Sequence, residues 1–336
     1  MSKAERVKGW WTWRKMRGRK WVLVLAALLL SALAPFAWHM NKLALATGDY
    51  QVEDAKTEMN WFDQHGGVLN RLPALRDQAL WLRLVQGGDQ GAGQSMDQIL
   101  AQYQDNRHRF WLFLWEIKQG DLGKAKRELD QISEPSQRAL GAGILALAAG
   151  EVDKAKEALN TSGRGLSRSE EALWHLTWVE LAMNLEDGEK ADTELKAAEK
   201  LGSQNPAYLD MAYAHALWSR KWAEAKRISQ VIDAQAWRPV NRYYLVTKAL
   251  LAVQLEDFSE VQKVLGRLQG QSGSAMYVDY IQGVFSLSQG DAAIGKARLE
   301  KALQSGLDGH FKEDAAKALS QLEERLAADK SLRVLD

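Results

Sequence analysis

The chain has 336 residues, 46% of them hydrophobic and 26% charged, which suffices for one long domain or two compact ones and excludes a disordered or collagen-like chain. It contains no cysteine, so disulfides, thiol catalysis and cysteine-ligated metal centres are excluded. The net charge of +1 combines +7 in the first twenty residues with −6 in the remainder, and this mildly acidic body gives no reason to expect nucleic-acid binding.

The first predicted element is a helix that spans a membrane. Trp21–Trp38 contains no charged residue, and a helix of this length reaches about 27 Å, close to the hydrocarbon core of a bilayer. The cationic residues before it place the N-terminus in the cytoplasm by the positive-inside rule. We therefore predict a single-pass protein of the cell membrane with a basic cytoplasmic N-terminus at residues 1–20, a transmembrane helix at 21–40 and the bulk of the chain outside the cytoplasm.

Two other interpretations of this segment remain. In a cleaved signal peptide, Ala44 and Ala46 would form the cleavage pattern, but both lie well beyond the apolar stretch. A buried helix of a soluble core is disfavoured by the eight flanking cations. The bilayer is thus a predicted partner through Trp21–Trp38. The basic, tryptophan-rich N-terminus either binds anionic lipid headgroups or only fixes the topology.

Most of the remaining chain repeats with a period of about 34 residues. Six segments align without gaps, and their first residues, here called turn residues, are 30, 36, 34, 36 and 34 positions apart: Gly120, Gly150, Glu186, Arg220, Glu256 and Gly290. Each unit combines an apolar helix, a short turn that often contains Gly-Asp or Glu-Asp, and an amphipathic second helix. A small or modest residue five positions after the turn residue predicts where the two helices cross: Ala125, Ala155, Ala191, Ala225, Val261 and Gly295.

These segments resemble tetratricopeptide repeats (TPRs), whose helical hairpins have this length, a Gly-Asp-aromatic turn and an alanine five residues after the turn glycine. Gly143 and Gly283, seven residues before their turn residues, match the small residue of the family's first helix. The resemblance covers about residues 106–305 and implies an all-α, TPR-like α-solenoid of stacked hairpins. Residues 306–336 predict a C-terminal capping helix from His310 to Asp329, because a repeat array needs a polar cap for solubility.

The segment between the predicted span and the repeats, residues 41–105, predicts atypical N-terminal helical hairpins. Gly48 would open a turn before a helix from Glu53 to Phe62, and the first helix of that pair would continue the membrane span. Leu72–Val85 and Ser95–Tyr103 predict another pair. The alternative for the whole chain, an ordinary bundle of unrelated helices, is disfavoured by six ungapped matches at a nearly constant spacing.

The sequence lacks a convergent catalytic motif. The six histidines are scattered, and neither a close metal-binding pair, a Walker loop, a nucleophile elbow nor a kinase signature occurs. The glycine-rich run Gly87–Gly93 follows no predicted strand and is interpreted as a loop between helices. We therefore predict no enzymatic activity, no cofactor and no metal site, and an envelope enzyme with an unrecognised site remains an alternative.

The resemblance further implies a concave face, formed mainly by first helices, that binds a peptide or another protein. Groove-facing residues of similar TPR proteins occupy fixed positions in the first helix, and these positions correspond here to Glu180, Asp210, Trp218, Tyr243, Tyr277 and Tyr280. Packing between adjacent repeats is the alternative role for each. The predicted function is a membrane-anchored interaction scaffold for an envelope, secretion or membrane complex, and a holdase-like chaperone is an alternative.

Overall fold

In a computed structural model of the chain, the structure describes residues 35–47, 52–65, 72–85, 105–235, 242–271 and 273–333. All regular secondary structure within these ranges is helical, and they contain no strand. The helices are α1 (35–47), α2 (Val52–His65), α3 (Pro73–Val85), α4 (Asn106–Gln119), α5 (Leu122–Asp130), α6 (Pro135–Ala148), α7 (Val152–Ser162), α8 (Arg168–Asn184), α9 (Gly188–Gly202), α10 (Pro206–Trp218), α11 (Trp222–Ala234), α12 (Arg242–Gln254), α13 (Phe258–Gln269), α14 (Ala275–Ser288), α15 (Ala292–Gln304) and α16 (Gly309–Arg333).

The turns inside the hairpins explain why Gly-Asp recurs in the sequence. The turn residue has a left-handed backbone, with φ of +78° at Gly120 and +82° at Gly290, which glycine adopts without a steric penalty. The next residue caps the second helix, as the Asp121 carboxylate does by accepting the backbone N–H of Lys124 at 2.9 Å. Three further aspartates make the same bond: Asp187, Asp257 and Asp291. The predicted turns are confirmed.

The paired helices approach closely at small residues. A Cβ atom added to Gly283 would lie 2.8 Å from Cγ of Leu299, and one added to Gly295 would lie 3.2 Å from the backbone oxygen of Gly283. In the hairpin of α6 and α7, a Cβ atom on Gly143 would lie 2.8 Å from Cγ of Leu159. The six small or modest residues five positions after the turn residues are all buried. These contacts confirm the predicted crossing points.

The N-terminal pair, α1 and α2, has the register of the later hairpins. The fourth residue of α2 is Ala55, which is completely buried, as is the fourth residue of each repeat's second helix. The rings of Phe36 and Phe62 meet edge to face at 5.0 Å between the two helices. Helix α2 therefore contains the predicted segment Glu53–Phe62, whereas Ser95–Tyr103 lies outside the described residues.

The chain divides into two compact units. The first comprises Met1–Trp174 with Ala198–Tyr208, and the second comprises His175–Ala197 with Leu209–Asp336. In the second unit, α12 to α16 share one hydrophobic core that includes the completely buried Phe311. Helix α16 extends the predicted capping helix at both ends. The domain limits inferred from the sequence stay predictions.

The localisation predicted from the sequence is contradicted. Across the described ranges, no helix combines the length and apolar character that a membrane crossing requires. The described part of α1 has 13 residues, about 20 Å of helix, and carries two polar side chains directed to α2. His39 Nδ1 lies 2.5 Å from Glu58 Oε2, and Lys42 Nζ lies 3.8 Å from Glu58 Oε1. Residues 1–34, with most of Trp21–Trp38 and the basic segment, lie outside the described residues.

Candidate partner-binding surface

The six residues predicted to bind a partner all lie on first helices of the second compact unit. Glu180 is on α8, Asp210 and Trp218 are on α10, Tyr243 is on α12, and Tyr277 and Tyr280 are on α14. Asp210 and Trp218 are separated by about two helical turns and therefore share one face of α10. This placement follows from the repeat register.

Burial separates the six residues into two groups. Glu180 and Asp210 are exposed, and Trp218 and Tyr243 each keep 41% of their surface accessible. The other two, Tyr277 and Tyr280, are only 1% and 3% exposed. The exposed group is thus two carboxylates and two large aromatic rings on three successive first helices.

Trp218 is held in place by the start of α9. Its indole lies 3.7 Å from the position that a Cβ atom on Gly188 would occupy, and its ring centroid is 5.8 Å from that of His215. His215 is buried, with Nε2 at 3.4 Å from Oδ1 of Asp192, which also pairs with Lys221 at 3.1 Å. Burial lowers the pKa of the His215 imidazole, against the opposing effect of Asp192. A neutral imidazole and a helix start therefore support the exposed indole.

Tyr243 is positioned by groups at the start of the capping helix. Its ring stacks on Phe311 with centroids 6.0 Å apart, and its hydroxyl donates to Asp308 Oδ2 at 3.4 Å. The hydroxyl of Tyr277 donates to the other carboxylate oxygen of Asp308 at 2.5 Å. Burial, and secondarily this hydrogen bond, raise the pKa of Tyr277. Asp308 thereby links two first helices to the capping helix.

Tyr277 and Tyr280 pack against α16. The ring centroid of Tyr277 is 6.1 Å from that of Phe311, and that of Tyr280 is 5.6 Å from it. Burial raises the pKa of the Tyr280 phenol. The structure thus brings Tyr243, Tyr277 and Tyr280 together around Phe311 and leaves only Tyr243 of the three exposed. Their role in partner binding stays a prediction.

Glu180 is exposed, yet the surrounding protein reduces the hydration of its carboxyl group. This desolvation raises the pKa of Glu180. Glu180 is therefore an exposed residue whose carboxylate form is disfavoured by its surroundings.

Hydrogen-bonded pairs of ionisable side chains inside the hairpins were not recognised from the sequence. Three of them join a first helix to its second helix at a separation of 19 residues, with distances of 2.5, 2.5 and 2.6 Å: His39–Glu58, His175–Glu194 and Asp279–Arg298. A search for ionisable residues 19 positions apart across each turn would have found them. These pairs tie the hairpins together and do not form part of the exposed surface.

Two aspartates at helix N-termini have lowered pKa values, and their hydrogen bonds explain why. The backbone N–H of Lys124 lowers the pKa of Asp121, and the ammonium group of Lys226 lowers that of Asp257. Throughout the described ranges, no group of three or more histidine, aspartate or glutamate side chains is arranged to hold a metal ion. The pKa shift of Asp121 therefore reports helix capping, and that of Asp257 reports mainly its ion pair with Lys226.

Comparison with known proteins gives the fold. No protein-family model matches the sequence, and no curated protein matches it significantly. A chain of the crystal structure of the APC/C hetero-tetramer Cut9–Hcn1 is similar with a TM-score of 0.59 and 13% identity, over 86% of this chain and 63% of that one. A tetratricopeptide repeat protein from Parabacteroides merdae gives a TM-score of 0.45 and 13% identity, over 85% of this chain and 99% of that one. The fold is TPR-like.

The similarity to the Cut9–Hcn1 chain concerns the fold alone, because identity is 13% and this chain spans less than two thirds of its length.

Proposed function

We propose that this chain is an interaction scaffold that binds a peptide segment of a partner protein on the first helices α8, α10 and α12. The observation that carries the proposal is the exposure of Trp218 and Tyr243 at the predicted groove positions. Large aromatic rings at an interface contribute a disproportionate share of the binding free energy. Both rings are also held by their neighbours, so little conformational entropy is lost when a partner binds.

Two carboxylates on the same set of helices favour a cationic partner. Glu180 and Asp210 are both exposed carboxylates on the same set of helices. A segment that places lysine or arginine near an apolar side chain could contact both the carboxylates and the rings. The proposed partner is therefore a basic peptide segment with at least one apolar anchor.

The proposal can be tested with the full chain and a displayed library of short random peptides. Selected peptides should be enriched in lysine or arginine together with an aromatic or aliphatic residue. Fluorescence anisotropy with a selected peptide should then show that Trp218→Ala or Tyr243→Ala raises the Kd by about tenfold or more. The physical reason is the loss of a preorganised aromatic contact.

Ile294→Ala provides the matched control, because Ile294 is an exposed apolar residue on a second helix. Its Kd should stay within about twofold of the parent value. A selected peptide that binds the Trp218 and Tyr243 variants as tightly as the parent would refute the surface. Selection of apolar peptides without a shared charge pattern would instead support a holdase-like chaperone.

A further inference from the structure

A polar cavity lies at one end of α14, away from the exposed aromatic rings. It has a volume of about 430 Å³ and is lined by the C-terminal end of α13, the N-terminal end of α14 and one side of α15. This volume lies within the range of small-molecule sites. Its lining includes Ser274, Asp279, Gln282, Arg298 and Lys301.

Two buried polar atoms of this cavity have no hydrogen-bond partner in the structure. Ser274 is 1% exposed and precedes α14, but its hydroxyl makes no capping bond and Oγ has no partner. Oε1 of Gln282 is likewise buried and without a partner. Buried polar groups in folded proteins are normally paired, so two unpaired atoms in one cavity indicate a missing hydrogen-bonding group.

A cavity of the preceding repeat contains a buried polar group that is paired. That cavity, of about 290 Å³, contains Lys248, whose ammonium pairs with Asp233 and Glu260, both at 2.5 Å. The residues 34 positions later are Gln282, Arg267 and Ile294. Of these three, only Gln282 lines the larger cavity, so the two cavities share a single repeat position.

The wall of the larger cavity carries a net positive charge. Asp279 is buried, and its two carboxylate oxygens pair with Arg298 at 2.6 Å and with Lys301 at 2.8 Å. One carboxylate faces two cations, which leaves one positive charge in this group. An anionic group of a ligand would complete the neutralisation, because guanidinium and ammonium groups both bind carboxylates.

We propose that this cavity binds a free α-amino acid. The carboxylate of the ligand pairs with Arg298 and Lys301, and its ammonium group donates to Oε1 of Gln282. The hydroxyl of Ser274 both donates and accepts, so it completes the contacts of either group. A zwitterion supplies the donor and the anion that the cavity lacks, whereas acetate supplies only the anion and alaninamide only the donor.

Isothermal titration calorimetry with the full chain tests this proposal. L-Alanine and L-glutamine are the probes, and at least one should bind saturably, whereas acetate, alaninamide and N-acetylalanine should bind at least about tenfold more weakly. Ser274→Ala and Gln282→Leu should each raise the Kd by about fivefold or more, since each removes one hydrogen bond to the ligand. Both variants should keep or raise the Tm without ligand, because neither atom has a protein partner.

The matched controls are Ser288→Ala and Gln254→Leu, which change exposed residues at the ends of α14 and α12. Their Kd values should stay within about twofold of the parent value. Arg298→Gln changes a third, partly exposed position at which amino-acid binding should weaken. The proposal fails if neither probe binds, if acetate binds as tightly as alanine, or if the Ser274 and Gln282 variants bind like the parent. These results would leave the aromatic peptide surface unaffected.

Discussion

The ammonium group of Lys248 lies between carboxylates of two neighbouring second helices. Its Nζ is 2.5 Å from Asp233 Oδ2 on α11 and 2.5 Å from Glu260 Oε1 on α13, and the side chain is almost completely buried. A buried charge is stable only when it is paired. Because Lys248 has two partners, each carboxylate can compensate for the loss of the other.

We expect non-additive destabilisation when both carboxylates are removed. Asp233→Asn and Glu260→Gln should each lower the free energy of unfolding by about 1 kcal/mol, since one charged partner remains. The double variant leaves the ammonium buried without a counter-charge and should lose about 3–5 kcal/mol. Chemical denaturation of the four proteins measures the coupling between the two sites.

Glu151→Gln serves as the control for this measurement. Glu151 and Lys154 form an exposed pair on one helix at 2.9 Å, so the change should stay within about 0.5 kcal/mol. Strict additivity of the Asp233 and Glu260 variants would show that Lys248 is hydrated or paired elsewhere.

Residues in equivalent repeat positions have different environments, which limits prediction from the sequence. Tyr243 and Tyr277 both lie 13 positions before a turn residue, but one is 41% exposed and the other 1%. Asp210 and Tyr280 share another position, and they are exposed and buried respectively. Tyr277 and Tyr280 pack against Phe311 of the capping helix, which lies outside the repeat and which a periodic pattern does not represent.

At the scale of the helix, glycine has opposite roles in α13 and α14. A Cβ atom on Gly283 would lie 2.8 Å from the Leu299 side chain and 3.2 Å from its backbone nitrogen. Gly266 is exposed within α13, and a Cβ atom there would meet no atom within 4 Å. The two positions therefore separate the packing role of glycine from its poor intrinsic helix propensity.

We expect Gly283→Ala to lower the free energy of unfolding by about 1–3 kcal/mol, because the added methyl group forces α14 and α15 apart. Gly266→Ala should raise it by about 0.5–1 kcal/mol, because alanine loses less backbone entropy on folding. Thermal and chemical denaturation of both variants provide the comparison. Stabilisation by both substitutions would contradict the close crossing of α14 and α15.

Hairpins were predictable from the sequence because their turns use local chemistry. Gly290 supplies the left-handed conformation and Asp291 supplies the helix cap. Three other turn residues adopt φ values near +55° without being glycine: Glu186, Arg220 and Glu256. Such a conformation costs about 1–2 kcal/mol and is maintained by the packed helices. Local chemistry therefore predicted the three turns that contain glycine, and the constant period identified the other three.

At the scale of the whole chain, the repeat predicted the all-helical TPR-like fold but gave no information on localisation. Hydropathy and basic residues led to the wrong localisation, because both describe a segment almost entirely before the described helices. The two cavities also escaped prediction. Their polar groups come from three helices each, and their pairing depends on distances that spacing does not determine.

The capping helix should stabilise its own unit with little effect on distant hairpins. In helical repeat proteins each hairpin contacts mainly its neighbours, so stability is close to a sum of local terms. Phe311 is completely buried against Tyr243, Tyr277 and Tyr280. We expect Phe311→Ala to cost about 3–5 kcal/mol, since it leaves a cavity among these rings.

Hydrogen–deuterium exchange of the full chain can locate this loss. Protection should decrease most in α12, α14 and α16, whose rings meet at Phe311, and should be retained in α6 and α7 of the first compact unit. Phe258→Ala is the control, because Phe258 is an exposed ring on α13 and its removal should change exchange only locally. Uniform loss of protection along the chain would show that the two units unfold as one cooperative body. The expected local loss would show that the capping helix holds Tyr243 in position.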